Sequence, residues 1–394
     1  MIRRALTDRV KAAAAAFPAV TITGPRQSGK STLCRALFPE HDYVNLEQPD
    51  LRAFAQQDPR GFLGQYPDGA VIDEIQRCPE LPSYLQGLID ADPRAGKWIL
   101  TGSQNLSLLA SVSQSLAGRT AILHLLPLTR AEVCRFGHYP LTLDEAMLAG
   151  GYPRIFDEQL APADWLAAYV GTYIERDVRS VSNVGDLTTF QRFVELCAGR
   201  SAQLLNISAL AADAGIAQPT AKAWLSILET SFIVTRLPPF HANIRKRLVK
   251  MPKLHFYDTG LLCWLLGLRS VDQLRQHPLR GAIFETWVVS EILKHRANQG
   301  ERGGIYFYRD RQGTEADVIV QFAHRYRIVE AKAGHTIAPD MLHAARRVAT
   351  ALGPDQIHDI VVVYGGDASQ DRTDARVLPW HELDGQPWAV GRPG

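Results

Sequence analysis

Gly24-Pro25-Arg26-Gln27-Ser28-Gly29-Lys30-Ser31-Thr32 is the stretch that decides the fold. It matches Gly-x-x-x-x-Gly-Lys-Ser/Thr without a mismatch. Its setting is as specific as its letters. Ala19-Val20-Thr21-Ile22-Thr23 before it reads as a buried strand, and the apolar pattern Leu33–Phe38 after it reads as a helix. Glycines let the backbone wrap a phosphate, so that N–H groups and the helix N-terminus face the anion. Lys30 then reaches the β- and γ-phosphates, and the Ser31 hydroxyl meets a magnesium ion. Residues Gly24 to Thr32 are therefore expected to bind ATP together with Mg2+.

Beyond this loop, Tyr43–Leu46, Ala70–Ile72, Lys97–Thr101 and Thr120–Leu125 read as further strands, with helical pattern across 81–90 and 105–117. Strands alternating with helices imply an α/β parallel sheet covered on both faces. This core closes near Pro127. The third strand runs into Asp73-Glu74. Asp73 at a strand end suits the magnesium shell, and Glu74 suits polarising an attacking water. Adjacent acids favour water over a kinase acceptor. Ser103, after the fourth strand, is expected beside the third strand, where it orients the γ-phosphate or the water; it equally suits a helix cap. Arg119 precedes the fifth strand and is placed to project into a neighbouring subunit as an arginine finger, or else to sit in solvent. The first role implies a homo-oligomer.

Composition bounds the remainder. The chain has 394 residues, 46% hydrophobic and 21% charged, which excludes a disordered chain, a collagen or a coiled coil. A net charge of +2 means that any nucleic-acid contact needs a local basic face. Five cysteines without a Cys-x-x-Cys pair fit reduced thiols in the cytoplasm rather than disulfides or a zinc finger. No apolar run is long enough to span a membrane. Asp8, Arg9 and Lys11 make the opening residues an amphipathic helix rather than a signal peptide.

GPRQSGKSTL, VIDEIQRCPEL, ILTGSQN, SLAGR and GGYPR closely resemble the core of a large prokaryotic family of AAA+-like ATPases with a C-terminal domain of unknown function. NISALAADAGIAQPTAKAWLSILETSFIV and KMPKLHFYDTGLL extend the match, which covers roughly residues 1–335. The resemblance implies the roles given above for Lys30, Ser31, Asp73, Glu74 and Ser103. Its Gly-Gly-x-Pro segment resembles a lid turn that contacts adenine, which falls here on Gly151 and Pro153.

The chain reads as four regions: an ATPase core (1–127), a helical lid (128–184), a winged-helix-like segment (185–279) and a nuclease-like region with its tail (280–394). Ile207–Asp213, a turn at Gly215 and Gln218–Glu229 read as helix-turn-helix. Lys222, and Arg245, Lys246, Arg247 and Lys250 where a wing would lie, are candidates for DNA phosphates, with Lys253 closing the same basic run. A solvated basic face or a domain contact is the plainer account. Further on, Glu285 lies in a helix, Asp317 heads an apolar strand, and Val329-Glu330-Ala331-Lys332 ends the next. That order resembles restriction-endonuclease-like PD-(D/E)XK cores. Glu330 and Lys332 share a strand face. Asp317 and Glu330 could clamp a second Mg2+, with Lys332 activating water. The tail from Gly365 reads as loosely held. Two functions are compatible with this constellation: an ATP-driven enzyme acting on DNA, and a nucleotide-switched regulatory or protein-interaction ATPase with an inactive nuclease-like domain.

Overall fold

The computed structural model describes residues 2–102, 115–174, 187–240 and 251–389. Contacts divide the chain into two units: residues 1–128 with 230–232 and 297–300, and the remainder from Thr129.

In the first unit, α1 (Thr7–Ala16) precedes β1 (Ala19–Thr23), α2 (Lys30–Leu37), β2 (Asp42–Asn45), α3 (Pro49–Gln57), α4 (Pro59–Gly64), β3 (Ala70–Asp73), α5 (Leu81–Ala91), β4 (Trp98–Gly102) and β5 (Thr120–His124). The strands form one parallel sheet in the order β2-β3-β4-β1-β5. Successive strand residues point to opposite faces. Ile72, Trp98 and Leu100 therefore pack with Phe62 and Leu85 on one side. Val71 and Ile99 pack with Val10, Val20, Ile22 and Leu33 on the other. Leu6, Val10 and Ala13 give α1 and its entry an apolar stripe, as the amphipathic reading expects. The order places β4 between β1 and β3, so the phosphate loop, the end of β4 and Asp73 lie at the carboxyl edge of adjacent strands, where open α/β sheets bind ligands.

The second unit opens with α6 (Arg130–Val133), α7 (Leu143–Ala149), α8 (Pro153–Asp157) and α9 (Pro162–Tyr169). Then come α10 (Leu187–Ala198), β6 (Gln203–Leu204), α11 (Ile207–Ala214), α12 (Gln218–Thr230), β7 (Val234–Leu237) and β8 (Lys253–Phe256). Gly215 ends α11 in the left-handed conformation at φ 73°, and the three strands pair antiparallel in the order β6-β8-β7. Trp224 of α12 meets Phe190 and Phe193 of α10 edge-on at 5.2 and 5.4 Å, fixing α12 against α10.

After these come α13 (Thr259–Leu265), α14 (Val271–Gln276) and α15 (Arg280–Asn298). The last sheet contains β9 (Ile305–Arg309), β10 (Glu315–Phe322), β11 (Arg325–Lys332), β12 (Ile357–Tyr364), β13 (Gln370–Asp371) and β14 (Arg376–Pro379), with α16 (His343–Leu352) between β11 and β12. Its order is β13-β14-β12-β11-β10-β9; β9, β10 and β11 run antiparallel, while β11, β12 and β14 run parallel. Ala345, Val348 and Leu352 of α16 cover Ile319, Ile328 and Val362 of the sheet.

One expectation changes here. The tail is not loose: β14 pairs with β12, and Val377, Leu378, Trp380, Leu383 and Trp388 are buried. Its apolar side chains outweigh the glycines and prolines between them. Residues 129–174, within the segment expected as a lid, fall in the second unit. The Asp258 carboxylate accepts from the N–H of Gly151 at 2.7 Å and from that of Leu261 at 2.8 Å, capping α13 while tying it to the α7–α8 turn. Asp144 of α7 pairs with both Arg275 and Arg280. Among the described residues, no helix is long and apolar enough to cross a membrane.

Candidate functional site

The loop between β1 and α2 has the shape its sequence demands. Gln27 and Gly29 adopt positive φ of 62° and 90°, curling the backbone so that its N–H groups line a concavity. Gly24 approaches the Leu125 carbonyl so closely that a Cβ would collide with it. Lys30 is buried, and its ammonium donates to the carbonyl oxygens of Gly24 at 3.0 Å and Pro25 at 2.8 Å. Burial lowers its pKa to about 8, against the opposing pull of Glu74 and Asp73. The Ser28 hydroxyl is fully buried in the loop without a hydrogen-bond partner among the described residues. Pro25, Arg26 and Thr32 complete the segment, with Arg26 held 3.6 Å from Glu47 and Thr32 exposed.

Asp73, 3% exposed, sits at the end of β3. One of its carboxylate oxygens accepts from the Thr101 hydroxyl and from the Glu74 N–H at 3.1 Å; the other accepts from the Tyr43 hydroxyl. Glu74 takes φ 58°, a left-handed backbone that a side chain rarely adopts, and the Gln76 amide donates to its carboxylate. The carboxylate and hydroxyl oxygens of Asp73 and Ser31 are hard donors suited to magnesium. The unpaired Ser28 hydroxyl, the Lys30 ammonium and the N–H-lined loop suit a triphosphate.

Tyr43 and Thr101, which motif reading passed over, both reach Asp73. The signal for Thr101 was its place at the end of a strand expected beside β3. Ser103 lies outside the described residues. Arg119 forms a two-point ion pair with Asp90 of its own unit, at 2.6 and 2.9 Å. Gly151 and Pro153 belong to the second unit, where Gly151 is engaged by Asp258 and Pro153 starts α8.

The second constellation assembles on α15, β10 and β11. Lys332 donates to Glu330 at 2.7 Å and lies 3.9 Å from Asp317, which accepts from the Ala331 N–H at 2.9 Å. One Glu330 oxygen is buried and has no partner among the described residues. Burial, with Asp317 adding to it, raises the Glu330 carboxyl well above the usual carboxylate range. Glu285 is raised to about 8, first by burial and then by Asp317.

Lys253 enters from β8, which corrects its reading as part of a solvent-facing basic run. It is 2% exposed, and its ammonium meets Glu285 at 2.8 Å and Glu315 at 2.5 Å. Burial opposes its charge, but Glu285, Asp317 and Glu315 outweigh that and hold its pKa above the usual value. The acids outnumber the ammonium groups, so the surplus carboxylate takes the proton. Among the described residues, these acids do not bring three ligand atoms within 4.8 Å of one another. The carboxylates are answered by lysines, so the arrangement does not fit a metal as it stands.

The one described trio that meets that distance is Glu291, His295 and Asp384. Lys294 donates to Glu291 at 2.8 Å and Arg130 lies 3.3 Å from Asp384, making an ion-pair network. Lys222 is exposed on α12, whereas Arg245, Lys246, Arg247 and Lys250 lie outside the described residues.

Strand order, phosphate loop and carboxylate edge together define a P-loop ATPase fold. The sequence family described as an AAA domain matches residues 16–134. Two families described as domains of unknown function, DUF8612 and DUF4143, match residues 141–272 and 280–383. The uncharacterised proteins Rv2008c of Mycobacterium tuberculosis and Mb2031c of Mycobacterium bovis are each 31% identical over 368 residues, covering 93% of this chain and 80% of theirs. The Walker-type ATPase PABY2304 of Pyrococcus abyssi overlaps 67% of this chain and 95% of its own at 15% identity, with a TM-score of 0.46. The chain belongs to the family of P-loop ATPases that join an AAA domain to a C-terminal domain of unknown function.

Proposed function

We propose that the protein hydrolyses ATP and acts on DNA, with ATP turnover in the first unit driving work by the second. The observation that carries this reading is the convergence of Lys30, Ser31, Asp73 and Glu74 at one sheet edge, joined in one chain to a helix-turn-helix module. Loop N–H groups and Lys30 hold the phosphates and balance the charge that develops on them. Magnesium, when bound, supplies positive charge at the phosphate oxygens, with Ser31 and Asp73 to hold it. Glu74 orients a water and accepts its proton, aimed by its left-handed backbone and by Gln76.

The order α10-β6-α11-α12-β7-β8 supports a winged-helix reading of this module. Lys222 is exposed on the second helix of the turn, as a contact to DNA phosphates requires. The helix, three strands, helix and strand running from α15 to β12 support a restriction-endonuclease-like reading. In that setting the lysine-filled cluster suits a sheet that binds rather than cuts. The five free cysteines suit the cytoplasm. We further propose a homo-oligomer in which Arg119 exchanges Asp90 for a neighbour's phosphates.

A second reading, a nucleotide-switched regulator that binds a protein partner, is favoured by Lys253 closing the acidic cluster. ATP hydrolysis measured with single-stranded, duplex and branched DNA, on wild type and Glu74→Gln, separates the two. Stimulation by DNA that Glu74→Gln removes supports the first reading. Absence of both DNA binding and stimulation refutes it. DNA cleavage with Mg2+ or Mn2+ that Asp317→Ala with Lys332→Ala abolishes would contradict the binding-sheet assignment.

A further inference from the structure

We propose that the Tyr43 hydroxyl is a place-holder for the divalent cation: it occupies the ligand-facing oxygen of Asp73 in the nucleotide-free protein and must leave when the metal–nucleotide complex binds. The proposal rests on the ATP site described above. One oxygen of Asp73 is committed inward, to the buried Thr101 hydroxyl and the Glu74 N–H. The oxygen that remains to face a ligand is the one that accepts from Tyr43. The carboxylate oxygen suited to magnesium is thus capped by one hydroxyl, and a cation bound there cannot share the position with it.

The tyrosine is built to move. It lies on β2, the edge strand of the sheet, and is 37% exposed. The Arg35 guanidinium sits 5.1 Å from its ring centroid, one turn beyond Ser31 on α2. That contact gives the ring a second attraction that does not depend on the hydroxyl. A hydroxyl that caps the carboxylate until the cation arrives also spares the empty site an unpaired charge of low exposure.

The consequence is a competition between hydroxyl and cation. Binding of ATP without metal leaves the Tyr43–Asp73 hydrogen bond intact, whereas binding with metal breaks it. Removing the hydroxyl should therefore strengthen metal-dependent binding selectively. In Tyr43→Phe, the ratio of ATP dissociation constants in EDTA and in Mg2+ is expected to rise about tenfold, the size of one hydrogen bond to a charged group. The probe is a fluorescent ATP analogue titrated into full-length protein, with and without Mg2+, alongside a melting curve of the unliganded protein. The expected result is tighter binding in Mg2+, near-unchanged binding in EDTA and a slightly lower melting temperature. An unchanged ratio would reduce Tyr43 to a structural contact and overturn the proposal. A lowered ratio would overturn it too, making the hydroxyl a supporter of the cation. A wild-type protein that binds no nucleotide would remove the ATP site itself, an outcome readily told from the other two.

Discussion

Replacing Lys253 by methionine removes a buried ammonium and keeps most of its volume. The side chain is 3% exposed and contacts two acids, Glu285 at 14% and Glu315 at 27% exposure. Removing one member of a buried ion pair costs roughly 3–5 kcal/mol, because the partner charge is stranded. Glu285 largely keeps its proton below 8, and Glu315 is partly solvated and keeps Arg309 at 3.3 Å, so the cost falls below that range, about 2 kcal/mol near neutral pH.

The pH dependence has a definite sign. Glu285 already titrates near 8 in the folded protein, against 4.5 for an ordinary glutamate, so the fold loses stability as pH rises through that window and levels off above it. Without Lys253 the carboxyl pKa climbs further, and the loss continues beyond 8. The penalty should then grow by up to about 1.4 kcal/mol per pH unit above 8. Six of the seven tryptophans lie in the second unit, Trp98 being in the first, so urea unfolding followed by tryptophan fluorescence reports mainly the affected unit. A penalty below 1 kcal/mol, or one that shrinks as pH rises, would refute the claim that Lys253 neutralises this cluster. Lys253→Met combined with Glu285→Gln should recover much of the loss, giving a coupling energy that either single change lacks.

The first unit offers three further tests. Glu74→Gln should retain ATP binding while hydrolysis falls about 10²–10⁴-fold, the usual weight of a general base, as read from steady-state phosphate release against analogue binding. Because burial sets Lys30 near 8, ATP binding above that pH should take up a proton, since the phosphates require the ammonium. Titration calorimetry at pH 8.5 in buffers of different ionisation enthalpy should show this, and Lys30→Ala should show no binding at all. Thr101→Val removes a fully buried donor to Asp73 and should cost about 1–3 kcal/mol in denaturant melts, with slower hydrolysis.

The first unit was largely legible because its signals are local. An unbroken apolar run, a glycine-rich turn and two acids at a strand end each declare themselves within a few residues. Tyr43 and Thr101 did not, since they reach Asp73 only through the sheet order, which brings β2 and β4 to either side of β3. Lys253 misled for a related reason. It comes after four basic residues, and all four positions of its strand are buried, so no alternation separates an inward lysine from an outward one. In the tail, Gly365, Gly366 and Pro379 masked a sheet strand whose partner, β12, lies across a turn and a short hairpin strand. The E-x-K pair was readable from spacing two along a strand, but the lysine that closes the cluster comes from another element.

The backbone at Glu74 carries a consequence for how this protein tolerates change. A glutamate held at φ 58° is less stable there than a glycine, by roughly 1 kcal/mol. A glycine at that position would make a sturdier protein with no carboxylate to aim at water. Selection for robustness alone would therefore erode this corner, and screens for thermostable variants should enrich changes at position 74 that leave the fold improved and turnover lost.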